Sequence, residues 1–238
     1  MRAIVTGGAS GIGAATASLL VERGFEVITL DREGGDIEVD VTDADGIASA
    51  VMDAAARLGG LDTVINNAGI GAQGTVEDND EDEWRHVYDV NVLGMVRVAR
   101  AALPFLREAG GGAIVNTCSV AATAGLPSRA LYSASKGAVL SLTLAMAADH
   151  VREGIRVNCV APGTADTPWI GRLLDAAEDP EAERAALNGR QPMGRLVSAT
   201  EVAEAIVHLA TSTGTTGTVL HVDGGVQGLR LRPSSEAR

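Results

Sequence analysis

Short apolar runs of strand length alternate with amphipathic stretches of helix length from the first residues almost to the last. This alternation is typical of repeated βαβ units, in which a helix connects two parallel strands. It predicts an α/β fold with one doubly wound parallel sheet of about seven strands in the order 3-2-1-4-5-6-7, with helices on both faces. No internal repeat or Pro/Ser linker divides the pattern, so we expect residues 1–238 to form a single domain.

The apolar pattern also places the individual elements. Strands are predicted at 3–6, 25–30, 37–40, 63–66, 113–117, 156–160 and 218–222. Helices are predicted at 12–23, 44–58, 82–108, 132–152 and 199–211. Residues 31–36 are too few for a crossover helix between two parallel strands, so this connection is expected to be a loop.

The charge and the apolar runs limit the possible partners. Nineteen basic residues stand against 31 acidic ones, a net charge of −12. A nucleic-acid partner is not expected, because binding to it requires many phosphates to be neutralised. The longest apolar stretches, such as 140–148, are interrupted by polar residues well before the roughly 18 residues of a membrane span, so a membrane partner is not expected either.

The N-terminal residues and the cysteines indicate the compartment. The apolar run before the first glycines is too short for a secretory signal, which predicts a cytoplasmic protein. Cys118 and Cys159 are the only two cysteines, and a chain of this length can bury a core without disulfides. We expect both thiols to be reduced and structural.

One acidic run resembles a cation site. Residues 77–83 contain six acids in seven positions. Their position before a predicted helix fits a solvated loop in which carboxylates offset the positive end of the helix dipole. We therefore expect no metal site.

A glycine-rich turn joins the first predicted strand to the first predicted helix. Glycine lets the backbone approach a ligand closely, and the N–H groups of a helix N-terminus favour an anion such as a phosphate. The turn therefore predicts a site for the diphosphate of a dinucleotide, formed by Gly7, Ser10, Gly11, Ile12 and Gly13.

Asp31 stands at the end of the second predicted strand, directly after residue 30. It follows Gly11 by about 20 residues, the spacing typical of a ribose-binding carboxylate. Such a carboxylate accepts hydrogen bonds from ribose hydroxyls and repels a 2′-phosphate, which favours NAD over NADP. The neighbouring Arg32 weakens that preference, because an arginine there can bind the phosphate instead.

Lys136 is the single lysine of the chain and stands four residues after Tyr132. On a helix this spacing places both side chains on one face. A phenol is a weak base at neutral pH, but a neighbouring cation favours its ionised form. Tyr132 could therefore exchange a proton with a hydroxyl or carbonyl oxygen while a hydride is transferred.

Ser119 follows the predicted strand 113–117 at its carboxyl end, where open α/β sheets bind ligands. Its hydroxyl can donate a hydrogen bond to a substrate oxygen. The three side chains together predict an active site formed by Ser119, Tyr132 and Lys136.

Eight ordered motifs between about Arg2 and Gly225 resemble the short-chain dehydrogenase/reductase family, the NAD(P)-dependent type built as a single Rossmann domain. The motifs are Thr6-Gly7…Gly11-Ile12-Gly13, Asp40-Val41, Asn66-Asn67-Ala68-Gly69, Asn91, Ser119, Tyr132-Ser133-Ala134-Ser135-Lys136, Pro162-Gly163 and Val222-Asp223-Gly224-Gly225.

The resemblance implies roles for individual residues. Ser119, Tyr132 and Lys136 would be catalytic, and Asn91 would hold a water in a proton relay. Tyr132 and Lys136 would also contact the cofactor, with Lys136 holding its ribose. The remaining cofactor contacts would come from Asp40 and Val41 at the adenine, from Asn67, Ala68 and Gly69 along the cofactor, and from Pro162, Gly163, and Thr164 or Thr167 at the nicotinamide carboxamide.

The resemblance further implies a homotetramer or a homodimer, with the helices near 82–108 and 132–152 packed across subunits. The chain departs from the family where the usual helix between strands two and three is missing after Asp31, so a more open adenine pocket is expected. The tail, residues 229–238, is expected either to be loose or to dock on a neighbouring subunit.

Residues 164–196 are expected to form a loop over the active site. Its apolar side chains suit a small, mostly hydrophobic alcohol or ketone, whereas Arg172, Arg190 and Arg195 could meet an anionic one. The function predicted is the reversible NAD-linked oxidation of a secondary alcohol. The alternatives are a 3-ketoacyl thioester reductase, a non-catalytic NAD(H)-binding regulator and, less in keeping with one domain, a sugar-nucleotide epimerase.

Overall fold

The computed structural model describes residues 1–175 and 177–231, apart from the side chains of Trp169, Arg172 and Leu173. The expectations for Arg172 and for residues 232–238 of the tail therefore lie outside the described residues.

A parallel seven-stranded sheet with the order β3-β2-β1-β4-β5-β6-β9 forms the centre of the fold. The predicted fold class and strand order are confirmed, the seventh strand of the prediction being β9. The strands are β1 Arg2–Thr6, β2 Glu26–Asp31, β3 Ile37–Glu38, β4 Thr63–Asn66, β5 Gly112–Thr117, β6 Ile155–Pro162, β7 Ala165–Asp166, β8 Val197–Ser198 and β9 Val219–Val222.

Helices cover both faces of this sheet, as predicted, because successive strand residues point to opposite faces and both faces are apolar. Ile4 belongs to the core beneath helices α2 (Ala44–Leu58) and α4 (Gly94–Glu108). The adjacent Val5 belongs to the core beneath α1 (Gly11–Glu22) and α8 (Ala199–Thr211). The helices are α1 Gly11–Glu22, α2 Ala44–Leu58, α3 Glu81–Tyr88, α4 Gly94–Glu108, α5 Ala130–His150, α6 Pro168–Asp175, α7 Pro180–Gly189 and α8 Ala199–Thr211.

The helix predicted at 82–108 is interrupted. A π-helical turn, Asp89–Leu93, separates α3 from α4. Such a turn adds a residue to the helical hydrogen-bond pattern and occurs often at functional sites. Here it carries Asn91 into the protein interior.

The connections around the sheet also differ in detail from the sequence expectations. Residues 32–36 link β2 to β3 without a helix, as predicted. The third strand is shorter than expected, because Asp40 turns back to accept hydrogen bonds from Thr42. The predicted loop 164–196 contains α6 and α7, and β7 pairs with β8 in a separate two-stranded sheet.

Candidate active site

The glycine turn between β1 and α1 is held against the sheet. The Gly7 N–H donates to the Leu30 carbonyl oxygen at 2.8 Å. Gly7 has a φ of 64°, a left-handed conformation that favours glycine, and a Cβ on Gly13 would overlap the Gly7 carbonyl oxygen. Close packing of α1 on the turn therefore requires glycine at both positions.

The first turn of α1 has no side-chain cap, unlike α2, α3, α7 and α8. Asp43, Asp179 and Ser198 cap the N-termini of α2, α7 and α8. Ser10, at the N-cap of α1, makes no such bond within the described residues. The backbone N–H groups of the first turn of α1, from Gly11 and Ile12 onwards, therefore suit a phosphate. A phosphate could accept the hydrogen bonds that a side-chain cap would otherwise accept.

Asp31 lies beside this turn. One carboxylate oxygen accepts from the Ala9 N–H at 3.0 Å and the other from the Arg32 N–H at 2.8 Å. The carboxylate is thereby fixed next to the glycine turn. The structure therefore places the Asp31 carboxylate next to the glycine turn, and its role at the ribose stays a prediction.

The residues expected at the adenine, Asp40 and Val41, lie beside a cavity. Asp40 accepts from the N–H and the hydroxyl of Thr42, both at 2.8 Å. Partial burial raises the pKa of Asp40, but these hydrogen bonds and the charges of Arg32 and His86 outweigh it and the pKa is lowered. Val41 contacts the start of α4. A cavity of about 670 Å³ adjoins this region, lined by Arg32, Ile37, Glu38, Val39, Asp40, Asp43, Gly46, Ser49, Ala50 and Asp53.

The segment after β4 is tied to the glycine turn through Thr6. The Thr6 hydroxyl accepts from the N–H groups of Asn67 at 3.0 Å and Ala68 at 3.1 Å. The Asn67 side chain donates to the Gly7 carbonyl oxygen at 3.2 Å. The structure therefore brings these two predicted cofactor-binding segments together.

Tyr132 and Lys136 lie on α5, as their spacing predicted. The Lys136 Nζ donates to the Thr117 carbonyl oxygen at 2.9 Å and lies 5.8 Å from the centre of the Tyr132 ring. Lys136 is only 3% exposed, and Tyr132 is half-buried. The ammonium is thus fixed beside the phenol by the end of β5.

Asn91 joins the same cluster. Its Oδ1 accepts from the Ile70 N–H at 2.8 Å, and its Nδ2 donates to the Ile70 carbonyl oxygen at 2.9 Å and to the Ser135 hydroxyl at 3.1 Å. A Cβ on Gly69 would lie 3.1 Å from Asn91 Oδ1 and 3.4 Å from Lys136 Nζ. The segment after β4 therefore runs directly past the lysine.

Ser119 follows β5 at the same edge of the sheet. It begins a 3-10 turn, Val120–Ala122, where its Oγ accepts from the Ala121 N–H at 3.1 Å. Because this bond uses the oxygen as acceptor, the hydroxyl proton remains able to bond to a substrate oxygen.

The structure distinguishes the two threonines proposed for the nicotinamide carboxamide. The Thr164 hydroxyl accepts from the Gln191 Nε2 at 3.3 Å. The Thr167 side chain lies 3.6 Å from where a Cβ on Gly11 would be, so it adjoins the glycine turn. Pro162 ends β6, and the Gly163 N–H donates to the Val222 carbonyl oxygen at 2.9 Å.

Gln191 was missed by the sequence analysis. It is 4% exposed, and its Oε1 is buried with no hydrogen-bond partner among the described residues. Nothing near Gln191 in the sequence indicates its position, because its partner Thr164 is far away along the chain.

The two thiols are free and buried. The Cys118 thiol lies 3.2 Å from the Lys136 carbonyl oxygen and donates to it. Hydrogen bonding with Cys118, together with burial, raises the pKa of Cys159. Cys159 therefore fits a neutral, structural thiol.

Carboxylates of the acidic run 77–83 accept hydrogen bonds from neighbouring residues. Asp80 caps α3 by accepting from the Glu83 N–H at 2.8 Å, and Asp78 accepts from the Thr75 N–H and hydroxyl. Across the described residues, no group of three or more His, Cys, Asp or Glu side chains is arranged to hold a metal ion.

Helix α5 and the 3-10 turn that follows it, Val151–Glu153, together form a helical stretch, Ala130–Glu153, that is long and apolar enough by composition to cross a membrane. It packs against β6 and carries the Tyr132–Lys136 pair. A core helix of a globular protein passes the same test of length and hydropathy.

The sheet order, the uncapped glycine turn and the Tyr-Lys cluster at the carboxyl edge of the strands define a dinucleotide-binding α/β oxidoreductase. Comparison with known proteins gives the family. A family model described as Enoyl-(Acyl carrier protein) reductase matches residues 7–227. The chain belongs to the short-chain dehydrogenase/reductase family, whose members are NAD(P)-dependent enzymes acting on hydroxyl or keto groups, so the predicted family and enzyme class are confirmed.

Individual relatives cover nearly the whole chain. Cis-4-hydroxycyclohexanecarboxylate dehydrogenase of Sinomonas cyclohexanicum is 41% identical over 242 residues, covering 94% of this chain and 95% of the relative. The ligand-free aldohexose dehydrogenase of Thermoplasma acidophilum matches with a TM-score of 0.92 and 32% identity, covering 99% and 97% of the two chains. A variant of the actinorhodin polyketide ketoreductase with NADPH matches with a TM-score of 0.90 and 30% identity, covering 96% and 97%.

Proposed function

We propose that the chain interconverts a secondary alcohol and its ketone at a site formed by Tyr132, Lys136, Ser119 and Asn91. The observation that carries this proposal is the buried Lys136 ammonium, held by the Thr117 carbonyl oxygen beside the Tyr132 ring and the Gly69 backbone. An ammonium in this position favours the phenolate and lets Tyr132 accept the hydroxyl proton. A bound nicotinamide supplies the hydride acceptor.

Each remaining residue has a distinct task in this proposal. Ser119 donates its hydroxyl proton to the substrate oxygen. Asn91 holds a water of the proton relay while its side chain fixes Ile70 and Ser135. Lys136 also holds the cofactor ribose, and the carboxamide is bonded by Thr167, whose side chain adjoins the glycine turn, or by Thr164, whose hydroxyl keeps its proton while it accepts from Gln191.

NAD is the proposed cofactor. The support is Asp31, whose carboxylate is fixed beside the glycine turn by two backbone N–H groups. A carboxylate there favours two free ribose hydroxyls over a 2′-phosphate. The other cofactor contacts proposed are those of the glycine turn, Asp40, Val41, Asn67, Ala68, Gly69, Pro162 and Gly163.

The assembly and the location are part of the same proposal. We infer a single-domain chain that forms a homotetramer or a homodimer in the cytoplasm. The α5 contact between subunits follows from the family resemblance, and Leu144, an apolar side chain on α5 that is 46% exposed, is available to it.

A panel of secondary alcohols and ketones, followed at the nicotinamide absorbance with NAD and with NADP, tests this function. One relative is named as a cis-4-hydroxycyclohexanecarboxylate dehydrogenase, which supports secondary alcohols as the first class to assay. We expect turnover with NAD. No turnover of any compound with either cofactor, in a protein that binds NADH, would favour the non-catalytic regulator instead.

An acyl thioester reductase is the second candidate. The matching family model is described as Enoyl-(Acyl carrier protein) reductase, a name that points to acyl thioesters, and a polyketide ketoreductase is among the solved structures that the chain resembles. Acetoacetyl-CoA belongs in the same panel for this reason. A strong preference for that thioester with NADPH would overturn both the substrate class and the NAD proposal.

A further inference from the structure

Arg129 stands at the rim of the candidate active site. It is the N-cap residue of α5, three residues before Tyr132, so the two side chains emerge close together at the start of the helix. Arg129 is half-buried. Arg129 is therefore at the same end of α5 as the proposed acid/base group.

The backbone around Arg129 is held on both sides. The Gly74 N–H donates to the Ser128 carbonyl oxygen at 3.0 Å, and the Ala130 N–H donates to the Gly74 carbonyl oxygen at 3.1 Å. Among the described residues, Ser128 alone has a positive φ, 53°, without being glycine. Residues in this conformation are uncommon and cluster at functional sites, where surrounding contacts maintain them.

Arg129 is not neutralised by an acid. Within the part of the chain that the structure describes, no carboxylate lies within 4.0 Å of it, and its guanidinium donates only to the Ser128 carbonyl oxygen at 2.9 Å. Arg195, by contrast, pairs with Glu201 at 2.7 Å and is not available to a substrate. An unpaired, half-buried guanidinium is costly in a chain that has 31 acidic residues to offer.

The charge of a second arginine, Arg190, acts on Arg129. Burial lowers the pKa of Arg129, and the positive charge of Arg190 lowers it further. Arg190 is the C-cap residue of α7. It directly precedes Gln191, which is buried and donates a hydrogen bond to Thr164. It also has no carboxylate within 4.0 Å among the residues described. Arg190 thus belongs to the segment 164–196, next to a side chain that is bonded to Thr164, and its charge reaches Arg129.

We propose that Arg129 and Arg190 bind a carboxylate of the substrate, so that the protein acts on a small secondary hydroxy acid and its keto acid. A guanidinium matches the planar geometry of a carboxylate, and an anion bound at Arg129 would offset the repulsion between the charges of Arg129 and Arg190. This inference rests on the proposed function for its reaction: the hydroxyl proton goes to Tyr132 Oη, the hydride goes to NAD, and the carboxylate is unchanged.

Binding tests the site without any turnover. Butanoate and butanamide, which differ in charge but hardly in shape, are titrated calorimetrically into the NADH-saturated protein. We expect butanoate to bind at least 10-fold more tightly than butanamide, and we expect Arg129→Gln and Arg190→Gln each to remove that difference. Arg152→Gln, an exposed arginine beyond the other end of α5, is the matched control and should retain it.

Turnover separates this inference from the proposed function. The assay compares 3-hydroxybutanoate and 5-hydroxyhexanoate with their amides. Equal kcat/KM for acids and amides, or butanoate binding no tighter than butanamide, would overturn the arginine site while the dehydrogenase function stands. Arginine-dependent butanoate binding without turnover of any compound would leave the site intact and overturn the proposed function.

The variants need a check on folding. Melting temperature and NADH binding should match those of the unmodified protein. If Arg129→Gln does not fold, Arg190→Gln, at an exposed position, decides the question together with Arg129→Lys, which keeps the charge. A loss of butanoate binding that is as large in Arg152→Gln would show a general charge effect and contradict the proposal.

Discussion

Lys136 Nζ lies 5.8 Å from the centre of the Tyr132 ring while it donates to the Thr117 carbonyl oxygen at 2.9 Å. The ammonium is therefore positioned by the sheet rather than by the phenol. Two of its three protons remain for the phenolic oxygen and a cofactor ribose. The compactness of the lysine head group is what this arrangement depends on.

Lys136→Arg should lower kcat by about 10²-fold or more, although the charge is kept. The planar guanidinium is larger, and the position is bounded by Thr117 and by Gly69, whose Cβ would be 3.4 Å from the Nζ. Steady-state kinetics of alcohol oxidation measure the effect. Lys136→Gln provides the comparison without charge; near-normal rates for the arginine variant would mean that charge alone suffices.

Tyr132→Phe should abolish measurable turnover, a loss of about 10²- to 10⁴-fold, because the acid/base hydroxyl is removed. NADH binding, measured by fluorescence, should survive. Tyr88→Phe is the matched control: Tyr88, the only other tyrosine, stacks on Trp84 and packs against the same apolar cluster as Tyr132, so it tests the loss of a phenolic hydroxyl without the proposed acid/base role. Activity retained by the Tyr132 variant would refute the role assigned to the phenol.

The Tyr132–Lys136 pair and the Asp31 carboxylate could be predicted from sequence because local spacing determines their positions. Helical periodicity places Tyr132 and Lys136 on one face, and the end of a strand places Asp31 beside the glycine turn. The strand order followed from the same βαβ pattern together with the family resemblance.

Other features depend on contacts between distant segments and left no local signal. The π turn that carries Asn91 adds one residue to a helical pattern whose apolar periodicity hardly changes. Gln191 is identified by its bond to Thr164, and Arg129 by its missing acid partner and by the charge of Arg190. The short helices α6 and α7 were hidden in a stretch with weak periodicity.

Asp31→Asn should narrow the preference for NAD over NADP by about 10- to 100-fold, because the charge that opposes a 2′-phosphate is removed. The amide oxygen can still accept from the Ala9 N–H, so the turn should keep its shape. The ratio of kcat/KM values for the two cofactors is the measurement. Asp36→Asn, in the same loop but bonded to Thr29, is the control and should leave the ratio unchanged.

Leu144→Glu should reduce the molar mass in sedimentation velocity, if α5 packs across subunits as proposed. An apolar side chain that is 46% exposed loses water when it is covered by a second subunit, whereas a carboxylate there would have to be desolvated. Val21→Glu on α1, at a side chain that is 58% exposed, is the control and should not change the assembly. An unmodified protein that sediments as a monomer would contradict the proposed oligomer.

Glu201→Gln should lower stability at neutral pH by less than about 1 kcal/mol, since the pair with Arg195 is largely solvent-exposed. Hydrogen bonds from Arg195 and from the Ser198 N–H lower the pKa of Glu201 from 4.5 to about 2. Because the folded-state pKa is depressed, this stabilisation is present above pH 4.5 and is lost as the pH falls towards 2. Urea denaturation at pH 7, 5, 4 and 3 should show the two proteins converging in acid.

Glu204→Gln is the control for this pH dependence. Glu204 lies on the same helix and is exposed, and its side chain makes no hydrogen bond or ion pair with any other described residue. Its substitution should leave the free energy of unfolding and its slope against pH nearly unchanged. A Glu201 variant that differs from the unmodified protein by the same amount at pH 3 and at pH 7 would show that the loss comes from the α8 cap geometry and not from the ionised carboxylate.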